Sequence, residues 1–220
     1  MASLGGSLVN ETFDFDGGRR VTMYVPPGPP RSVVYAADGG WHTERLARAL
    51  ETPPENPSTV IVGVHGLDDD DGRLHEYVES FGRERFAAFE RFFVDEVNVW
   101  ATSELGVRLP AERTAVWGAS LGGEFALAMG LRHPAKFGAV LCASPGGGFT
   151  PTSCELPPEV PRSYLVGGTQ EQWFFDNATR WADALSDAGG DVVIEQRNGE
   201  HGGEFWYDEI PRMIAWAFTR

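Results

Sequence analysis

The sequence predicts an α/β protein, a three-layer sandwich in which helices cover both faces of a mostly parallel central sheet, with antiparallel strands at its N-terminal edge. Three observations carry this. Short apolar runs such as residues 32–37 (SVVYAA) and 59–64 (TVIVGV) read as strands buried on both faces. Segments of helical period separate them, and strand–helix–strand alternation implies right-handed crossovers and parallel pairing. Gly118-Ala119-Ser120-Leu121-Gly122 joins one such strand to a helix of small residues through a tight turn. With 220 residues and 42% hydrophobic content, the chain suits one domain over 1–220 with a sizeable core and no large cap.

Taken in order, residues 7–15 and 19–25 alternate around Asp16-Gly17-Gly18 and read as an antiparallel hairpin at a sheet edge. Pro26-Pro27-Gly28-Pro29-Pro30 forbids regular pairing and stiffens the connection to strand 32–37. That strand ends at Asp38-Gly39-Gly40-Trp41, where a glycine pair lets the backbone come close to a ligand. A helix over 43–50 is closed by the Thr52-Pro53-Pro54 breaker, and strand 59–64 follows. Residues 67–77 then form a polar loop past the carboxyl end of that strand, where substrate loops lie. Asp68 to Asp71 lack the alternating spacing and distal glutamate of a calcium hand, so they read as a solvated loop, not a metal site. Arg73 and Glu76 in this loop, with Trp41 beside the glycine pair, are candidate substrate contacts, although an arginine here can also pair with its acidic neighbours.

Residues 83–100 place Phe86, Phe89, Phe92, Phe93, Val97 and Trp100 at helical spacing, which is a core face. Strand 113–117 leads into the serine turn and a helix over 124–132, and strand 137–143 follows. Residues 146–161 are rich in glycine and proline without periodicity, and read as a mobile loop near the site. Strands 163–166 and 191–196 flank a helix over 173–188 that Gly189-Gly190 stops, and a closing helix runs to Arg220.

A formal charge of −14 argues against nucleic acid and anionic membrane surfaces as partners. Cys142 and Cys154 have no zinc spacing and are expected to be free thiols; no metal or organic cofactor is expected. The first residues lack a basic segment followed by an apolar one, and no apolar run is long enough to span a bilayer, so a cytoplasmic location is expected.

A serine on a strand-to-helix turn is lifted clear of the sheet, and the amides of the following helix point where an oxyanion would form. The hydroxyl still needs a base. Of five histidines, only His201 lies in a glycine-flanked loop after the last strand, where the serine–acid–histidine order places the base. The acid belongs after the preceding strand, which fits Glu171 and leaves Asp176 as the second candidate. The backbone amides of Gly40 and Leu121 are the expected oxyanion donors.

These residues carry a resemblance. Asp38-Gly39, Arg73-x-x-Glu76-Tyr77, Gly118-Ala119-Ser120-Leu121-Gly122-Gly123, Leu131-Arg132-His133-Pro134-x-x-Phe137, Ser144-Pro145, and His201 followed by Trp206 together resemble the putative-esterase family of α/β-hydrolases. That family includes enterochelin and salmochelin esterases, esterase D, feruloyl esterases and mycolyltransferases. The resemblance implies the α/β-hydrolase fold, Ser120 as nucleophile, His201 as base, Glu171 as acid, and Gly40 with Leu121 as oxyanion amides. The Arg73 and Glu76 element resembles the siderophore-esterase branch, where it lies beside the substrate. Two departures stand out: a glycine follows Asp38-Gly39 where a bulkier residue is more usual, and His65 stands where an acidic or small residue is more usual. The expected function is a serine carboxylic-ester hydrolase acting on a small-molecule ester, a siderophore or another bulky natural-product ester or lactone. An acyltransferase or macrocyclising thioesterase would share the acyl-enzyme, and a non-catalytic binding protein on this scaffold would not need the intact Ser120 and His201. Oligomeric state is not legible here.

Overall fold

The computed structural model describes residues 3–51 and 57–218. The expected Thr52-Pro53-Pro54 breaker lies outside the described residues, as do residues 219–220, to which the closing helix was expected to run.

β1 (Ser7–Phe13) and β2 (Arg19–Val25) form the hairpin, with Ser7 opposite Val25 and Phe13 opposite Arg19. β3 (Ser32–Ala36), β4 (Thr59–Val64), β5 (Thr114–Ala119), β6 (Ala139–Ala143), β7 (Arg162–Gly168) and β8 (Val192–Arg197) complete an eight-stranded sheet ordered β1-β2-β4-β3-β5-β6-β7-β8. β2 meets β4 antiparallel, and every pairing from β4 to β8 is parallel. All residues of β3, β4, β5 and β6 are buried, because helices cover both faces of these central strands.

The helices are α1 (Gly39–Glu51), α2 (Asp70–Tyr77), α3 (Arg83–Arg91), α4 (Val97–Leu105), α5 (Leu121–Arg132), α6 (Gln172–Asp187), α7 (Phe205–Asp208) and α8 (Ile210–Phe218). On one face, Leu46 and Ala47 of α1 pack with Met213 and Ile214 of α8 over Val34, Ala36 and Trp117. On the other, Phe89, Phe93 and Phe125 meet at ring separations of 5.0 to 6.2 Å above Val62 and Val116. A single wide turn, Phe92–Glu96, joins α3 to α4 in one continuous rod and keeps Phe92 and Phe93 both inside.

Two elements differ from the sequence reading, and both shape the site. The acidic run is the start of a helix: the Asp69 side chain accepts the Gly72 amide at 3.0 Å, while Asp70 and Asp71 occupy the first turn of α2 at its positive end. α1 begins at Gly39, four residues early, because the Asp38 carbonyl accepts the amides of Trp41 and His42 at 2.9 and 3.2 Å. Gly40 therefore sits in a first helical turn, whose N–H groups have no acceptor within the helix. Among the described residues no helix is long and apolar enough to cross a membrane.

Candidate active site

Ser120 is the hinge between β5 and α5. Its backbone has φ 56° and ψ −124°, a conformation that costs a non-glycine residue about 1–3 kcal/mol and must be imposed by its surroundings. They do impose it: the Ser120 amide donates to the Ala143 carbonyl of β6 at 3.0 Å, and its carbonyl accepts the amides of Gly123 and Glu124 at 2.9 and 3.2 Å. The turn closes so tightly that a Cβ on Gly118 would lie 1.8 Å from the Gly122 carbonyl oxygen, so only glycine fits.

The Ser120 hydroxyl meets His201, which the loop between β8 and α7 delivers from 81 residues away, with Nε2 3.0 Å from Oγ. Nδ1 of the same ring lies 2.6 Å from Oε2 of Glu171, which sits between β7 and α6. The other oxygen of Glu171 accepts the Ser144 hydroxyl at 2.5 Å and the Gly168 amide at 2.6 Å. Ser144 in turn accepts the Trp206 indole N–H at 2.8 Å. Burial would raise the Glu171 carboxyl, but hydrogen bonds from His201, Ser144 and Gly168 outweigh it and hold the carboxyl below its ordinary value. Phe174 stacks on the His201 ring at 3.7 Å and Trp206 meets it edge-on at 5.1 Å, so two aromatic rings pack against the imidazole. Such a row can take the serine proton as the oxygen attacks and stabilise the cation that results. Asp176, the second candidate acid, lies exposed on α6 with its carboxylate on the Gln172 amide at 2.7 Å; Glu171 is the carboxylate that meets His201.

The remaining histidines are committed elsewhere. His133 binds Glu90 at 2.8 Å, His65 binds the Thr22 hydroxyl at 2.8 Å, and His75 lies 3.6 Å from Asp71. His42 is buried against Tyr207 at 2.7 Å, and its desolvation pulls its pKa down to about 4. A depressed histidine destabilises the fold as pH falls below the unfolded value, since only the unfolded chain takes up the proton. Between pH about 7 and about 5 the wild type is expected to lose about 2 kcal/mol through this group, a slope that His42→Gln lacks. Urea unfolding of both proteins at the two pH values measures the difference.

Trp41, Arg73 and Glu76 are not one substrate surface. Asp38, 2% exposed, accepts Nε and Nη2 of the Arg73 guanidinium on its two oxygens, at 2.8 and 2.9 Å, and the Tyr77 hydroxyl at 2.9 Å. Arg73 thus secures the residue just before the Gly39-Gly40 turn, and its charge also sits 5.1 Å from the ring of Trp41, which is half exposed. Glu76, expected beside substrate, is fully buried instead: Arg19 grips both its oxygens at 2.7 and 3.0 Å, and Arg85 adds a contact at 2.9 Å. On a helix, residues three apart share a face but local partners decide what each meets, and here Glu76 ties α2 to β2 and α3.

A family profile described as Putative esterase matches residues 15–188. The chain belongs to that family. Among solved structures, this esterase-family chain is similar to the enterobactin esterase of Shigella flexneri crystallised with 2,3-dihydroxy-N-benzoyl-serine, with a TM-score of 0.80 at 20% identity. That match covers 97% of this chain and 59% of the other, so the chain spans about three-fifths of the length of the enterobactin esterase. An IroE-like serine hydrolase from Shewanella oneidensis gives a TM-score of 0.76 at 15% identity, covering 97% of this chain and 80% of that one. Fluorophosphonate-binding serine hydrolase F of Staphylococcus aureus gives 0.74 at 13% identity, with 98% and 99% covered. Comparison with curated protein sequences finds no match. At these identities the structural neighbours share the fold, an α/β-hydrolase fold.

In this member of the esterase family, a cleft of about 410 Å³ opens over Ser120, lined by Leu74, Phe81, Leu121, Trp173 and Phe174 among others. Phe81 and Trp173 are more than half exposed at its rim. The sequence reading did not give a role to Ser144, Trp206, Phe174 or Glu124, which the structure brings to the same place. Glu124 had a visible signal, a carboxylate one turn past the serine in an otherwise apolar helix. Phe174 had none, since an aromatic in α6 reads as core until the fold turns it toward the histidine.

Proposed function

We propose that the protein is a serine carboxylic-ester hydrolase that works through an acyl-enzyme. The observation that carries this reading is the row Ser120 Oγ, His201 Nε2, His201 Nδ1, Glu171 Oε2, in contact at 3.0 and 2.6 Å beside an open cleft. Ser120 attacks the ester carbonyl while Nε2 takes its proton, and Glu171 keeps Nδ1 protonated and stabilises the imidazolium. The carbonyl oxygen, now anionic, is received by the amides of Gly40 and Leu121, both at helix N-termini where N–H groups and dipole favour negative charge. Nε2 returns the proton to the departing alcohol, and water repeats the sequence to release the acid and restore Ser120. Family membership supports the class of reaction.

The substrate is an ester of a bulky, partly aromatic acid. Support comes from Phe81 and Trp173, exposed at the rim of the cleft, and from the aryl serine compound present in the similar Shigella enzyme. Intact-mass spectrometry after a fluorophosphonate treatment tests the reading: one adduct on wild type and none on Ser120→Ala is the expected result. A wild type that stays unmodified would count against an activated serine and against this function.

A further inference from the structure

The proposed chemistry leaves one buried carboxyl of the cleft unused. Glu124 is 1% exposed, lies one turn after Ser120 on α5 and lines the same cleft. Its Oε2 accepts the Phe149 amide at 2.5 Å, and the Gly148 amide bonds the same carboxyl. The loop wraps it closely: a Cβ on Gly146 would lie 1.9 Å from Oε1, and one on Gly148 would lie 3.0 Å from Oε2. The glycine run Gly146-Gly147-Gly148 is therefore shaped around this side chain. The back of the loop is fixed to α6, where Trp181 donates to the Phe149 carbonyl at 3.2 Å and Asn177 to the Pro145 carbonyl at 3.3 Å. Its front faces substrate space, since all three glycines line the cleft with Trp173 against Gly147.

We propose that Glu124 is a specificity-determining positioning residue: its carboxyl holds residues 146–149 as one wall of the Ser120 cleft and so sets the size of ester that the cleft admits. The inference rests on the esterase reading of that cleft. A buried acyl-pocket wall discriminates by fit, and a shift of about one methylene in its position changes selectivity by about tenfold or more.

The clamp also changes charge in the working range. Burial, partly offset by the amides of Phe149 and Gly148, pushes Glu124 up to about 7. No cation is paired with it among the described residues. Cys142 of β6 faces it, its thiol raised by burial and by Glu124 itself. α2, packed on α5, brings Arg73, His75, Glu76 and Tyr77, which are engaged by Asp38, Asp71, Arg19 and Asp38 respectively. Behind the wall, Glu79, Arg83 and Arg132 line a separate hollow, where Arg132 is bound to Glu79 and Glu90. At Ser120, which shares the cleft, His201 binds both the serine hydroxyl and Glu171. As pH rises through about 7 the acid becomes a carboxylate, a stronger acceptor for both amides, and the wall tightens.

Two readouts test this. The amide resonances of Gly148 and Phe149 are followed by nitrogen-15 NMR from pH about 5.5 to about 8.5 in wild type and Glu124→Gln. They are expected to titrate together near pH 7 in wild type and to stay still in the variant; amides that titrate alike in both proteins respond to His201 and overturn the clamp. The ratio of kcat/KM for hexanoyl over acetyl p-nitrophenyl esters is expected to move with the same midpoint in wild type, to be pH-independent in Glu124→Gln, and to shift by about tenfold in Glu124→Leu. An unchanged ratio in both variants, even with a lower kcat, refutes the role in selectivity. Should the leucine variant not fold, the glutamine variant decides alone. If Ser120 takes no fluorophosphonate, the esterase reading fails and the selectivity claim with it, while the amide titration still decides the clamp; a reactive Ser120 with amides indifferent to Glu124 sinks this inference only.

Discussion

Replacing His201 by alanine is expected to lower kcat/KM for a p-nitrophenyl ester by about 10⁴-fold or more, and Ser120→Ala/His201→Ala is expected to be no worse than either single change within about tenfold. The two residues act as one unit. Among the described residues the imidazole, at 3.0 Å, is the side chain placed against the hydroxyl to receive its proton, and without it the serine is a poor nucleophile at neutral pH. Once the base is gone, removing the nucleophile loses little more, and any remaining rate comes from binding and oxyanion stabilisation. Glu171→Gln is expected to fall between, at about 10²- to 10⁴-fold, because an amide cannot both accept Nδ1–H and keep the Ser144 hydroxyl and the Gly168 amide on the other atom. Initial rates of the four variants measure this. Additive losses in the double variant would mean that the two side chains do not share a step, and the mechanism proposed above would have to be abandoned.

The second large effect is on stability. Arg73→Met is expected to cost about 3–5 kcal/mol, because it leaves the buried Asp38 carboxylate with the Tyr77 hydroxyl and no counter-charge. For a chain of this size that is a fall in melting temperature of about 10 °C. Removing the charge as well, in Asp38→Asn/Arg73→Met, is expected to recover part of the loss, since the penalty belongs to the unpaired ion and not to the missing attraction. Asp38 is at φ 53°, so the pair also maintains a strained residue two positions before Gly40, and the single variant is expected to lose activity below its melting temperature. Calorimetry of the three proteins settles it; a single variant melting within about 2 °C of wild type would show that solvent reaches Asp38 and that the ion pair is dispensable.

These two cases mark what the sequence could and could not show. Ser120 was legible because the strained turn needs Gly118 and Gly122 at fixed spacing, and His201 because chain order and flanking glycines left it without a competitor. Glu171 could be separated from Asp176 only by the turn of α6, which buries one and exposes the other. The Asp38–Arg73 and Arg19–Glu76 pairs join residues 35 and 57 positions apart, and no local pattern records which of many charges meet across such distances. The same limit explains why Glu76 was expected at the substrate. Its short motif fixes a place on α2, whereas what it touches depends on β2 and α3. For α2 itself the signal was present and misread, since an aspartate run followed by glycine serves a helix N-terminus as readily as a loop. The central strands β3 to β6 were legible because burial on both faces demands apolar runs that little else in the chain imitates.

The hydrogen bond from Trp206 to Ser144 has one more consequence. An indole nitrogen has a proton to give and no lone pair to offer, so Ser144 must be the acceptor in that contact and has only its own hydrogen left for Glu171. Glu171 Oε1 is then filled by two donors, and Oε2 takes the proton on Nδ1 of His201, leaving Nε2 bare toward Ser120. The carboxylate can only accept, so the polarity of the row is set at Glu171, and the indole at its far end keeps the Ser144 hydrogen turned toward that carboxylate, a latch two residues removed from the serine it serves.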